Sequence, residues 1–423
     1  MHARFIQPTK VTPVGSDHSA LHHCRKSVLV TSMKVTRQGS TLAFFRLWQP
    51  MFFIGVVLLF WLAVFTRDNA PGAFGFDFRG TLWDAGRAIT AGVSPYPAPH
   101  SPELASGNPA LYPPFAIGLA LPLTWLPWNA ALVLWMAVLL AGTLGGTWLL
   151  GVRDWRCYCV VLTSLPVING VVYGNLTLLL LLAVGAAWRW RDRARLCGLA
   201  VGAAVAGKLF LWPLVVWLLL ARRFRATAWA VVCIPALLIV PWAMIGFRGL
   251  LDYPGLLRSA VDLYGPHSVS LVAATSGAGL PLPVARVVPA VAAGVLLVLA
   301  VLAARRPDGE PRAFAITILA AIAGSPIVWN YYLALLVAPV AVLRPRLSWL
   351  WLVFPAMYVA ERLHGTVHLT APAPDGAFYA AWSTLHSQPR WGPALGIGGL
   401  LLVVAVVAVQ LPIDAERGEV ERE

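Results

Sequence analysis

The sequence predicts an all-α polytopic membrane protein, and three observations lead there. Hydrophobic residues make up 59% of the 423-residue chain and charged residues 12%, against roughly half and a quarter in soluble domains. Mean hydropathy is +0.72. The apolar stretches are long, continuous and rich in Leu, Ala and Trp rather than alternating with period two, so they read as helices and not as barrel strands. No soluble core of this length hides so much apolar side chain. That excludes a cytosolic enzyme, a disordered scaffold and a disulfide-rich secreted module.

In lipid every backbone amide needs an internal partner, so each long apolar run reads as a helix. Spans are expected near 48–66, 130–150, 157–171, 174–188, 196–207, 208–221, 226–246, 283–304, 313–324, 328–343, 347–360 and 393–411, about twelve in all. The apolar piece Leu111–Trp125 is interrupted by Pro113, Pro114 and Pro122 and reads as a re-entrant or interfacial segment.

The formal net charge is +14, and its position explains it. Five short connections carry fourteen arginines: Arg153/Arg156, Arg189/Arg191/Arg193/Arg195, Arg222/Arg223/Arg225, Arg305/Arg306/Arg312 and Arg344/Arg346. Three long loops, 67–110, 247–282 and 361–392, hold seven arginines balanced by acids. The positive-inside trend puts the short loops, the basic tail 1–47 and the acidic tail 412–423 in the cytoplasm, with the long loops outside. The expected organisation is therefore a disordered tail, a membrane domain over 48–411 and a short acidic tail. The basicity is topogenic, and no motif supports nucleic-acid binding. Residues 1–40 lack an apolar core with a cleavage site, so the first span is expected to be an uncleaved anchor.

No P-loop or dinucleotide fingerprint occurs, so no nucleotide cofactor is expected. Cys157 and Cys159 lack zinc spacing, and the cysteines read as small buried hydrophobes. His364 and His368 are four apart in the last outer loop, with His386 beyond them. The expectation there is no metal, leaving acceptor contact or plain loop as their role.

The outer face carries the polar residues that need a reason. Asp77 stands between Phe76 and Phe78, ahead of a helical stretch near Arg79–Thr90. A carboxylate partly desolvated by aromatics suits a general base; an N-cap of that helix is the alternative. Lys208 is the only lysine after residue 34 and lies between two apolar runs. An ammonium there suits a phosphate or pyrophosphate, or snorkels to lipid headgroups. Tyr96, Tyr112, Asn175, Trp329, Asn330 and Tyr331 offer amides, hydroxyls and a ring plane suited to a sugar; an interfacial aromatic belt is the alternative for the aromatic ones and does not explain Asn175 and Asn330.

These elements in this order resemble the GT-C-type integral membrane glycosyltransferases of glycosyltransferase family 87. The likeness rests on an acid early in a large first outer loop, the Tyr112-Pro113-Pro114 return, the Gly174-Asn175 turn, Lys208-Leu209 opening a span, and Ser325-Pro326 followed by Trp329. It covers roughly 48–345. The resemblance implies a GT-C bundle whose large first outer loop carries short juxtamembrane helices. It implies a polyprenyl-phosphate sugar donor, mannose or arabinofuranose, and a lipid or polysaccharide acceptor, with membrane lipids as the surroundings. Asp77 matches the acid thought to deprotonate the acceptor, and Lys208 the lysine partnering the lipid-linked phosphate. Asn175 stands where the family commonly has Gln, and Tyr331 and Tyr332 where many members carry His. A lipid or solute transporter is the other class, but it would place charges mid-span or repeat internally, and neither pattern is seen.

Overall fold

The computed structural model describes residues 49–66, 73–106, 108–362 and 390–410, and no β-strand occurs among them. Both tails and His364, His368 and His386 lie outside the described residues. Contacts divide the chain into two units, residues 1–58 and 59–423. The boundary falls inside the first apolar helix, α1 (Gln49–Thr66).

After the first long loop come α2 (Trp128–Leu149) and a bent pair, α3 (Trp155–Leu162) and α4 (Leu165–Tyr173), angled by 57°. Then follow α5 (Thr177–Arg189), α6 (Ala194–Gly207), α7 (Pro213–Leu220) and α8 (Phe224–Met244). The second long loop carries α9 (Tyr253–Tyr264). The chain continues through α10 (Val287–Ala304), α11 (Gly309–Ala323), α12 (Val337–Leu343), α13 (Val353–Arg362) and α14 (Trp391–Gln410).

Among the described residues, five helices are long and apolar enough to cross a membrane, or six if the bent α3–α4 pair is one span. The other expected crossings are helical but shorter; 177–189, 194–207, 209–220 and 330–343 fall in this class. Thirteen residues rise about 20 Å, short of a hydrocarbon core of about 30 Å. The short helices have a common physical reason. α5 starts just after Asn175, α6 stops at Lys208, and the 3₁₀ turn Asn330–Leu336 precedes α12. Each helix breaks where polar groups are needed, and irregular backbone at such depth is tolerated when it lines a protein-enclosed site.

Small residues set the helix contacts. Gly142 and Gly146 of α2 lie against Leu178, Leu179 and Leu181 of α5, and a Cβ on Gly185 would sit 2.6 Å from the Gly146 carbonyl oxygen. Gly198 and Gly202 of α6 meet Ala226, Trp229 and Cys233 of α8 in the same way. Without a hydrophobic drive between helices in lipid, such close approach supplies the packing.

Several arginine-bearing connections interlock. Arg223 donates to Glu310 at 2.7 and 3.1 Å and to Asp192 at 2.9 Å, joining the starts of α8 and α11 to the α5–α6 connection. Arg312 pairs with Asp308 at 2.6 Å and donates to the Ala408 carbonyl at 2.8 Å, capping the C-terminus of α14. Asp154 ties two others, bonding Arg156 and accepting from the Leu347 amide at 3.0 Å. The Pro-rich piece 111–125 forms only the five-residue helices Pro114–Gly118 and Leu121–Trp125, too short to cross.

Candidate active site

Asp77 is placed by the docking of the first long loop onto the end of α4. The Gly75 amide donates to the Val172 carbonyl at 2.7 Å. Phe78, fully buried, stacks on Trp135 (centroids 5.1 Å apart) and on Trp128 (5.8 Å). Trp135 Nε1 in turn donates to the Gly174 carbonyl at 2.7 Å. Gly174 ends α4 with φ of 73°, and a Cβ there would lie 2.7 Å from Phe78 Cβ. Only glycine suits that left-handed, crowded position, and it turns the chain so that Asn175 meets Asp77.

Asn175 is the hub. Its Nδ2 donates to Asp77 Oδ2 at 2.7 Å and to the Tyr112 hydroxyl at 3.0 Å. Its Oδ1 accepts from the Thr177 amide at 2.9 Å, the Thr177 hydroxyl at 2.7 Å and Lys208 Nζ at 3.4 Å. Asn108 donates to the other carboxylate oxygen of Asp77 at 3.2 Å, and the Tyr331 hydroxyl also hydrogen-bonds Asp77. Lys208 Nζ donates to the Thr177 hydroxyl at 2.8 Å and rests 3.5 Å from the Tyr332 ring centroid, with the Tyr112 and Tyr331 rings at 5.2 and 5.6 Å. Phe210 stacks on Tyr332 from 5.2 Å. The carboxylate and Lys208 Nζ thus meet through one amide rather than in a direct ion pair.

The electrostatics follow from burial. Asp77 is 8% exposed and Lys208 4%. Desolvation raises the Asp77 carboxyl above its ordinary value, against the opposing pull of hydrogen bonds from Asn175, Tyr331 and Asn108 and of the Lys208 charge. Two alternatives from the sequence fall here. Asp77 makes no side-chain capping bond to the following helix, a π-helical turn Phe78–Asp84 continuing as Ala85–Thr90. Lys208 turns into the bundle and does not snorkel to headgroups.

Asp77, Tyr112, Asn175, Lys208 and Tyr331 converge; Tyr96, Trp329 and Asn330 do not join them. Tyr96 stacks on Trp242 (5.0 Å) and donates to the Tyr112 carbonyl at 2.9 Å, buttressing that turn from behind. Trp329 packs edge-on to Tyr264 in the same aromatic cluster. Asn330 donates to Glu361 at 3.0 Å, and Glu361 is ion-paired with the buried Arg390. Asn108, Thr177 and Tyr332 join the site beyond the expected set. The Asn-x-Thr spacing of Asn175 and Thr177 was a usable signal, because an Asn side chain accepts from the backbone two residues on. No group of three or more His, Cys, Asp or Glu positioned for a metal occurs among the described residues.

The model of glycosyltransferase family 87 matches residues 110–328, more than half of the chain. The chain belongs to glycosyltransferase family 87. Within this family 87 protein the match takes in Tyr112, Asn175, Thr177 and Lys208; Asp77 lies well ahead of it in the chain and Tyr331 just beyond its end. Among curated proteins, it is 29% identical over 283 residues to the polyprenol-phosphate-mannose-dependent alpha-(1-2)-phosphatidylinositol pentamannoside mannosyltransferase of Mycolicibacterium smegmatis. That match covers 58% of this chain and 65% of the relative, so the chain spans about two-thirds of the relative's length. No solved structure matches the chain.

Proposed function

We propose that this family 87 protein transfers a sugar, mannose, from a polyprenyl-phosphate-linked donor to a lipid or glycan acceptor. The reaction would take place at the outer face of the cell membrane, with inversion at the anomeric carbon. The observation that carries the reading is the meeting of a buried carboxylate and a buried ammonium at opposite ends of the Asn175 amide. Family membership supports the reaction class, and the relative's printed name supports the donor. The arginine-rich connections support the sidedness.

In the reaction, an acceptor hydroxyl oxygen bonds to the anomeric carbon while the bond from that carbon to the phosphate oxygen breaks. Asp77 takes the hydroxyl proton, a contribution of about 10²–10⁴-fold. The electron pair leaves on the polyprenyl phosphate. Lys208 faces that growing charge; two of its three N–H bonds point at Thr177 and Asn175, leaving a third for a phosphate oxygen. Tyr332, packed beneath the ammonium, keeps it oriented. Tyr331, where the family resemblance implies His, offers Asp77 a neutral hydroxyl, so the base of this scheme is the carboxylate.

The test supplies purified protein with polyprenyl-phosphomannose and measures released polyprenyl phosphate. Asp77→Asn is expected to cut turnover by about 10²-fold or more while donor binding persists. A folded Asp77→Asn protein turning over at the parental rate overturns the reading, and uptake into vesicles without turnover would favour a transporter.

A further inference from the structure

At the end of the bundle opposite Asp77, the α5–α6 and α7–α8 connections line an open cleft of about 590 Å³. The path between the two is direct. α5 runs from Thr177 in the site to Arg189 beside the cleft, and α6 runs back from Ala194 in the cleft to Lys208. Arg191, Arg222, Arg223 and Arg225 line the cleft, against one acid, Asp192.

These arginines differ in what already holds them. Arg223 is matched by Glu310 and Asp192. Arg191 lies over the Trp188 ring at 4.6 Å and donates to its carbonyl. Arg222 and Arg225 are exposed at the rim, and Arg222 is fixed in left-handed backbone with φ of 56°. The cleft is therefore cationic beyond what its own acid balances. Immediately beside it the surface turns apolar. Phe224 is 65% exposed, and the exposed Val231 and Val232 continue the same stripe of α8 about two turns on. Arg195 over Trp229, at 5.6 Å, marks the edge of that stripe.

A charge that only orients the chain needs no cavity, and a free phosphate needs no apolar track. A cleft of arginines opening onto a lipid-facing stripe fits a ligand with both parts. We propose that this cleft binds the headgroup of one anionic phospholipid, its phosphate on Arg222 and Arg225 and its acyl chains along Phe224, Val231 and Val232. The site is independent of the catalytic reading, since none of these residues touches Asp77 or Lys208.

The experiment is native mass spectrometry of the full chain in mixed dioleoyl-phosphatidylglycerol and dioleoyl-phosphatidylcholine. The parent is expected to retain one phosphatidylglycerol in preference to phosphatidylcholine. R222Q/R225Q is expected to lose that preference by roughly tenfold or more, the size anticipated for two arginines at an anionic surface. R305Q/R346Q removes the same charge from other connections and is expected to keep it. R222K/R225K, which keeps the charge, retains part of it and separates charge from folding. Equal loss in R222Q/R225Q and R305Q/R346Q would mean diffuse attraction and overturn the site. So would equal retention of the two lipids by the parent, or inorganic phosphate raising the melting temperature as much as phosphatidylglycerol does.

Discussion

Asn175 does at residue scale what neither charged group can do alone. Its Nδ2 faces a carboxylate and its Oδ1 faces an ammonium, so the amide fixes both and is itself fixed by the Thr177 amide and hydroxyl. The hydrogen bond it gives Asp77 stabilises the charged carboxylate against desolvation. The pH dependence follows with a definite sign. In the proposed role Asp77 works deprotonated, so activity is expected to rise as pH climbs through its folded-state pKa, which desolvation raises above the ordinary carboxylate value. Asn175→Ala removes an interaction that lowers this pKa. The acid limb of the kcat/KM profile is therefore expected to move to higher pH, and the rate at low pH to fall more than the rate at high pH. A profile that merely scales down, with its inflection unmoved, would assign Asn175 a purely structural role.

At the scale of elements, the glycine contacts decide whether the short helices hold the site in place. α5 carries Thr177 at one end and meets α2 through Gly185, where a Cβ would reach the Gly146 carbonyl at 2.6 Å. Gly185→Ala must push two backbones apart, a strain of about 1–3 kcal/mol. It is expected to lower the melting temperature and the turnover together, whereas Gly294→Ala, whose Cβ meets nothing within 4 Å, should leave both unchanged. The elements themselves were legible in sequence, since apolar runs must be helical in lipid; 226–246, for example, appears as 224–244. That Asp77, Asn175 and Lys208 are set apart from the apolar runs was also legible, because each is a polar residue with no packing reason to sit where it does, and the structure brings the three together. What stayed hidden depends on direction and not on type. Trp329, Asn330 and Tyr331 are adjacent, yet one side chain joins an aromatic cluster, one turns to Glu361 and one reaches Asp77. A 3₁₀ turn spreads consecutive side chains around its axis by about a third of a turn each, and no apolar pattern marks which is which. Arg390 escaped for a related reason: its partner Glu361 lies across a long loop, and nothing local signals the pairing.

Over the whole molecule, the polar groups fall into separate zones. One holds the Asp77–Asn175–Lys208 network. The arginine–acid locks lie elsewhere, at the far ends of α5 and α6 and between the other short connections. The proposed sidedness can be checked directly. In intact cells, a cysteine placed at Ser94 in the first long loop is expected to react with a membrane-impermeant maleimide. One placed at Arg305 is expected to react only after permeabilisation. The reverse pattern would move the site to the cytoplasmic side and remove the case for a lipid-carried donor.

The lone ammonium of the network also bears on how a turnover ends. A phosphodiester donor arrives with one negative charge, and the phosphate monoester product leaves with close to two. In the proposed reaction the extra charge appears on the product as Asp77 becomes neutral. The same Lys208 therefore grips the product harder than the donor, just when the repelling carboxylate has been silenced. Departure of the lipid phosphate is then tied to departure of the proton, and the raised pKa of Asp77 slows the latter. Polyprenyl phosphate is accordingly expected to inhibit competitively against donor, more strongly as pH falls towards the Asp77 pKa over the range where the product stays a dianion, above its own second pKa of about 6. Initial rates with added product across pH would reveal the coupling, and inhibition indifferent to pH would sever it. On this view the buried carboxylate is also the latch on the exit.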